Sequence, residues 1–151
     1  MKLPCEVLRM DLKRFVSAQS RDYETALAEI RAGRKASHWM WYIFPQVEGL
    51  GYSATAQYYA LPDLAAAEEY YRHPVLGAHL IEISNALLEL DSDNATQVLG
   101  YPDDLKLRSS MTLFMLAVPD EPVFRRVLEK YYHGEPDERT VEIVKRKAKC
   151  Q

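Results

Sequence analysis

Residues 73–90, HPVLGAHLIEISNALLEL, set Leu76, Leu80, Ile83, Leu87 and Leu90 at alternating steps of four and three. That spacing keeps all five on one stripe of a 3.6-residue helix. Pro74 sits at the first helical position, where its missing N–H costs nothing. So continuous an apolar stripe must be buried against neighbours, and the flanking sequence supplies them in kind. Upstream, Asp63 caps an alanine-rich helix carrying Leu64, Ala67, Tyr70 and Tyr71, and Ser53 caps a short helix through Ala60. Near the N-terminus, Leu12, Phe15, Val16 and Gln19 follow helical spacing. A further segment, capped by Ser20 or Asp22, puts Tyr23, Ala26, Leu27 and Ile30 on one face and ends at Gly33. Downstream, Asp93 or Asn94 opens a short segment closed by Gly100. Pro102-Asp103-Asp104 starts another helix, its carboxylates complementing the positive helix N-terminus. Pro122 begins a helix with Phe124, Val127, Leu128 and Tyr131, stopped by Gly134, and Asp137 caps a last one with Val141, Ile143 and Val144 in the core. The aromatic run Trp39–Phe44 reads equally as a short strand or a buried helical turn. The expected fold is all-α: one compact multihelical domain over residues 1–151, with at most one short extended aromatic segment.

Composition agrees. At 151 residues the chain has the length of one domain, and 48% hydrophobic residues with 27% charged ones exclude a disordered chain. Nineteen Lys and Arg against 22 Asp and Glu leave a net charge of −3, so no global basic field exists to hold nucleic acid or an anionic membrane. The basic end, Lys145 to Lys149, reads as a solvated helix terminus. No stretch approaches the roughly 20 apolar residues of a membrane span, and the first ten residues lack a signal-peptide core. Cys5 and Cys150 are read as reduced thiols, and a cytoplasmic location is expected.

Gly49-Leu50-Gly51-Tyr52-Ser53-Ala54 formally matches a dinucleotide-binding fingerprint. No strand–helix alternation surrounds it, so it is read as loop glycines. His38, His73, His79 and His133 show no metal-ligand spacing, and neither a metal nor a cofactor is expected. His73 reads as a helix-start residue, His79 as a helix-surface residue and His133 as a helix C-terminal one.

Two stretches concentrate polar chemistry. In the first, Arg34, Lys35, Ser37 and His38 lead into Trp39 and Trp41: cations and a hydroxyl beside aromatic faces, as an anionic, ring-bearing ligand needs. In the second, Asp103, Asp104, Lys106, Arg108, Ser109, Ser110 and Thr112 pack carboxylates, cations and hydroxyls into one helix. If the two stretches meet, Arg34, Lys35, Lys106 and Arg108 supply anion contacts and Ser37, Ser109, Ser110 and Thr112 hydrogen bonds. Trp39 or Trp41 then supplies a stacking face, and His38 or Asp104 proton transfer. Asp103 and Asp104 are adjacent and point differently, so one of them caps the helix. The expected function is binding or processing of a phosphorylated or nucleotide-like small molecule, of ADP-ribose or nucleotide-sugar type, in a cleft between residues 33–46 and 102–114. A protein-interaction module anchored on exposed aromatics is the alternative, and nucleic-acid association ranks third.

The segments 11–19 and 33–51, His73–Gly77 and Pro102–Phe114 resemble those of one family. It is the mainly bacterial domain-of-unknown-function family numbered 1810, which often carries the label calpastatin. The resemblance runs from about residue 11 to residue 144 and implies a compact multihelical fold. It implies no activity and transfers no catalytic residue. Calpastatin itself would be an extended polar chain, unlike this core-rich composition.

Overall fold

The computed structural model describes residues 12–149; Cys5 and Cys150 lie outside them. In chain order the helices are α1 Lys13–Arg31, α2 Met40–Ile43, α3 Ala54–Tyr59, α4 Leu64–Arg72, α5 Leu76–Glu89, α6 Ala95–Leu99, α7 Asp103–Ala117, α8 Val123–Tyr132 and α9 Glu138–Lys149. The only extended pairing among the described residues is an isolated parallel bridge between Val47 and Leu61. The fold is all-α. The aromatic run resolves as a helical turn, α2, which buries Met40, Tyr42 and Ile43.

The punctuation follows side-chain chemistry. Ser53, Asp63 and Asn94 each accept a backbone N–H of the first turn of α3, α4 and α6. His73 serves α5 in the same way: its Nδ1 accepts from the N–H of Val75 at 3.1 Å and of Leu76 at 3.3 Å. Pro74 thus lies in the turn ahead of α5 rather than at its first position. One expected boundary is absent. No cap divides residues 12–30, and α1 runs unbroken for 19 residues, with Phe15, Ala18, Gln19, Tyr23, Ala26, Leu27 and Ile30 on its buried face. Ser20 hydrogen-bonds back to the Ser17 carbonyl and Asp22 pairs with Arg21. Ser20 therefore bonds within the helix and Asp22 also accepts the Tyr42 hydroxyl of α2, so neither caps a helix start, and no glycine or proline interrupts α1.

α7 is the centre. It packs against α4, α6, α8 and α9, while α5 packs against α1, α4 and α8. Six consecutive residues of α7, Ser109 to Phe114, are buried, as expected of a helix surrounded on all sides. Phe114 joins a chain of rings with Tyr70 at 5.4 Å and Phe124 at 5.5 Å, and Tyr70 meets Phe15 edge-on at 5.1 Å. In the last helix Ile143 and Val144 are buried with Thr140, whereas Val141 is only half-buried.

Buried Gln19 ties four helices together. Its amide nitrogen donates to the Tyr42 carbonyl at 2.8 Å and to Tyr70 Oη at 2.7 Å, while its oxygen lies 2.8 Å from His79 Nδ1. His79 is therefore half-buried rather than a surface residue, and its ring stacks on Tyr23 at 3.6 Å. Burial holds its pKa below the usual histidine range against the opposing pull of Glu82 and Glu24. At the far end of α5, Lys130 of α8 donates to the carbonyls of Leu87 at 3.1 Å, Leu88 at 2.9 Å and Leu90. It caps the last carbonyls of α5, where that of Leu87 also accepts the Leu90 N–H at 3.4 Å and Tyr131 Oη at 2.6 Å.

The α4–α5 corner requires Gly77. A β-carbon there would lie 1.8 Å from the Tyr71 carbonyl oxygen, a backbone atom that cannot swing away. Gly77→Ala should destabilise the fold by about 3 kcal/mol through overpacking. Urea unfolding would show a lower midpoint at unchanged slope; an unaltered midpoint would mean that the corner opens without cost.

Candidate functional site

The two polar stretches meet. Gly33, at φ +80°, turns the chain out of α1, and the Lys35 N–H donates to the Val98 carbonyl at 2.7 Å. This brings Lys35 Nζ to 2.9 Å from Asp103 Oδ2, in a pair whose side chains are 8% and 17% exposed. Lys106 Nζ reaches the other oxygen of Asp103 at 3.4 Å. Each lysine also covers a tryptophan: Lys35 lies 5.1 Å from the Trp39 ring centroid and Lys106 5.2 Å from that of Trp41.

The junction is organised by Glu29, which sequence reading passed over. Its Oε1 accepts from the N–H of Ala36 at 2.8 Å, the N–H of Ser37 at 3.0 Å and Trp39 Nε1 at 2.9 Å. Its Oε2 accepts from Ser37 Oγ at 2.6 Å. Burial alone would raise this carboxyl, but the four hydrogen bonds outweigh it and hold the pKa near about 2. Ser37 and Trp39 are thereby committed to the fold. Trp39 is 1% exposed and has no face to offer a ligand. Arg34 and His38 are exposed, and the His38 carbonyl accepts from Tyr42 Oη.

In α7 the two aspartates part company, as expected of neighbours, but neither caps the helix: Pro102 stands at the N-cap, and both aspartates lie inside the first turn. Buried Asp104 accepts from Thr96 Oγ1 at 2.6 Å and from the Leu105 N–H, and its own carbonyl takes the Tyr132 hydroxyl at 2.5 Å. Thr112 donates to the Arg108 carbonyl and accepts the Asp137 N–H, both at 2.8 Å. Ser110 is fully buried, and its hydroxyl has no hydrogen-bond partner among the described residues. These three residues face the interior.

What remains open is a groove of about 270 Å³ beside the first two turns of α7. Its walls are Gln46, Leu50 and Gly51 from the loop after α2, Ala56 from α3, Pro102, Leu105, Lys106, Arg108 and Ser109 from α7, and Asp137 and Arg139 from the start of α9. Of the twelve expected site residues it gathers Lys106, Arg108 and Ser109. Arg34, Lys35, Ser37, His38, Trp39, Trp41, Asp104, Ser110 and Thr112 are not among its walls. Gln46 lies at the end of the expected 33–46 wall, although it is not among the twelve, whereas Asp137 and Arg139 lie outside both expected stretches. Asp137 does cap α9, donated to by the Thr140 N–H at 3.0 Å and Thr140 Oγ1 at 2.6 Å. However, only the packing of α9 on α7 brings residues 137–139 to the groove, and no local signal encodes that.

The three cations differ in how far they are spent. Lys106 is shared with Asp103. Arg108 donates through Nε to the Glu135 carbonyl at 2.9 Å and lies 3.5 Å from its largely exposed carboxylate, leaving most of its five donors free. The Arg139 guanidinium has no ion pair or hydrogen bond among the described residues. Exposed aromatics stand next in sequence to the lining: Tyr52, 79% exposed, follows Gly51, and Tyr101, 76% exposed, precedes Pro102.

Two larger grooves carry less. One of about 640 Å³ runs along Leu12, Lys13, Val16, Ser17, Glu69, Arg72 and His73, where Arg72 is paired with Glu68. The other, about 600 Å³, lies between α9 and the Gly49 and Pro62 loops. There Lys147 is occupied by the Pro62 carbonyl and Glu48. Among the described residues no three His, Cys, Asp or Glu side chains converge as metal ligands, and no helix is long and apolar enough to cross a membrane.

Two substitutions separate structural from available polar groups. Glu29→Gln keeps the acceptor but removes the charge, and should cost about 1 kcal/mol at neutral pH. Because the folded pKa lies below the unfolded one, the charge stabilises above about pH 4.5 and its contribution fades as pH falls towards about 2. Unfolding curves of wild type and variant should therefore converge in acid. Ser110→Ala removes an orphaned buried hydroxyl and should leave stability unchanged or raise it by about 1 kcal/mol in thermal melts; a clear loss would reveal a partner for that hydroxyl.

The comparisons with known proteins agree with this architecture. The crystal structure of the conserved hypothetical protein Rv1873 from Mycobacterium tuberculosis is similar at a TM-score of 0.88. It shares 44% sequence identity, over 89% of this chain and 96% of that one. No curated protein matches the chain. The family model described as "Protein of unknown function (DUF1810)" matches residues 9–144, and the chain belongs to that family.

Proposed function

We propose that this protein binds a phosphorylated, ring-bearing small molecule in the groove beside the N-terminal half of α7. The observation that carries the reading is the convergence of Lys106, Arg108 and Arg139 on one concave, partly apolar site in a chain of net charge −3. A cationic cluster that the fold does not fully consume suits a phosphate, and guanidinium groups match its oxygens in pairs. Leu50, Pro102 and Leu105 give an apolar wall, and Tyr52 and Tyr101 take the part that Trp39, being buried, cannot. The volume is just under the roughly 300–1,000 Å³ of drug-sized ligand sites, room for a phosphate with part of the ring-bearing group. ADP-ribose and nucleotide sugars fit this description. The reading assigns binding and no reaction, since neither His38 nor Asp104 lines the groove.

A second reading, docking of a protein partner, draws on the exposure of Leu105 in the groove wall and of Tyr52 and Tyr101, next in sequence to the wall residues Gly51 and Pro102. A thermal-shift screen of ADP-ribose, nucleotides, nucleotide sugars and sugar phosphates separates the two. A ligand at 100 times its Kd should add about 2.7 kcal/mol of stability. Arg139→Ala should abolish that shift while leaving the unliganded protein within about 0.5 kcal/mol of wild type, because the side chain is exposed and pairs with none of the described residues. No shift from any phosphorylated compound would overturn the small-molecule reading.

A further inference from the structure

An anion site built only for phosphate would not keep a carboxylate in its wall, yet Asp137 lines this one. All three side-chain hydrogen bonds that Asp137 accepts fall on one oxygen, Oδ2: Ser109 Oγ at 3.1 Å, the Thr140 N–H at 3.0 Å and Thr140 Oγ1 at 2.6 Å. The other, Oδ1, takes no hydrogen bond from the described residues. The two Thr140 donors, with Ser109 sharing its single proton between Oδ2 and the Leu105 carbonyl at 3.2 Å, hold the carboxylate at the helix start and leave one acceptor that the described residues do not use. Gln46 stands in the same wall, and its amide likewise has no hydrogen-bond partner among the described residues. A negative oxygen that accepts but cannot donate repels a second phosphate and rewards a neutral donor, above all a sugar hydroxyl.

We propose that Asp137, seconded by Gln46, reads the hydroxyl groups of the ligand. The groove therefore selects phosphorylated compounds that carry a vicinal diol, such as a ribose, over phosphates without one. This deepens the small-molecule reading and rests on it. The division of labour is spatially economical. Arg139 and Arg108 take the phosphate, Asp137 Oδ1 takes the diol, and the two α9 residues involved are separated by one position, so a single rigid helix start sets the distance between the phosphate and hydroxyl subsites.

The test compares ADP with its 2′,3′-dideoxy analogue and with inorganic pyrophosphate by calorimetric titration of the full chain. A charge-assisted hydrogen bond to the diol should favour ADP over dideoxy-ADP by about tenfold to a hundredfold. Asp137→Asn retains an acceptor for the cap, since asparagine serves as well there, and should collapse that preference to within about threefold while pyrophosphate binding holds or tightens. Circular dichroism and melting of Asp137→Asn establish that it folds; if it does not, Gln46→Ala provides the second variant, expected to narrow the same preference. Equal binding of ADP and dideoxy-ADP by wild type would overturn the diol assignment and leave the phosphate site standing. Failure of all three compounds to bind would instead remove the underlying small-molecule reading.

Discussion

A helix buried over its central turns must satisfy the polar groups it carries there, and α7 carries many. This constraint shapes the molecule. Burying an unpaired hydroxyl or carboxylate costs several kilocalories per mole, so α7 determines which residues the neighbouring segments present to it. Thr96 is placed for Asp104, Asp137 for Ser109, and Lys35 for Asp103. The short helix α6 and the loop after α1 are partners supplied to one helix as much as connections between others. Ser110 is the exception that the fold tolerates.

The same constraint separates structure from function within one stretch of sequence. Residues 103–112 look chemically rich throughout, but their helical periodicity sorts them. Asp104 and Thr112 turn to internal partners, whereas Lys106 and Arg108 reach the groove. Lys106 itself is steadied by Asp103, which Lys35 holds in turn, so the loop after α1 reaches the groove through a chain of alternating charges. The pair Lys35–Asp103 need not add much net stability, but breaking it would strand a mostly buried charge.

Much of the architecture was legible because it is written locally. Ser53, Asp63, Asn94 and Asp137 are caps in sequence and in space, and the leucine stripe of α5 is buried as its spacing requires. What escaped was written across distance. Glu29 sits on α1 as an unremarkable glutamate, and its partners lie seven to ten residues on, around a turn set by Gly33. Trp39 advertised a stacking surface because its burial depends on that same turn. The groove drew in Asp137 and Arg139 because α9 folds back onto α7, a contact to which no periodicity or motif points, and Gln46 because the loop after α2 forms the facing wall. The segment 12–30 was divided because Ser and Asp cap helices more often than they continue them, and here Arg21 and Ser17 gave them employment inside one.

Lys130 illustrates a different outcome for charge. Its ammonium gives its protons to the carbonyls of Leu87, Leu88 and Leu90 and meets no carboxylate there. An amine held by dipoles instead of a counter-ion feels dissolved electrolyte weakly, and one ringed by three carbonyls in a half-buried joint is hard for a reagent to reach. Acylating reagents that decorate Lys145 and Lys149 at the exposed end of α9 would pass it by, and the joint between α5 and α8 would keep its strength in brine, where ordinary ionic contacts loosen.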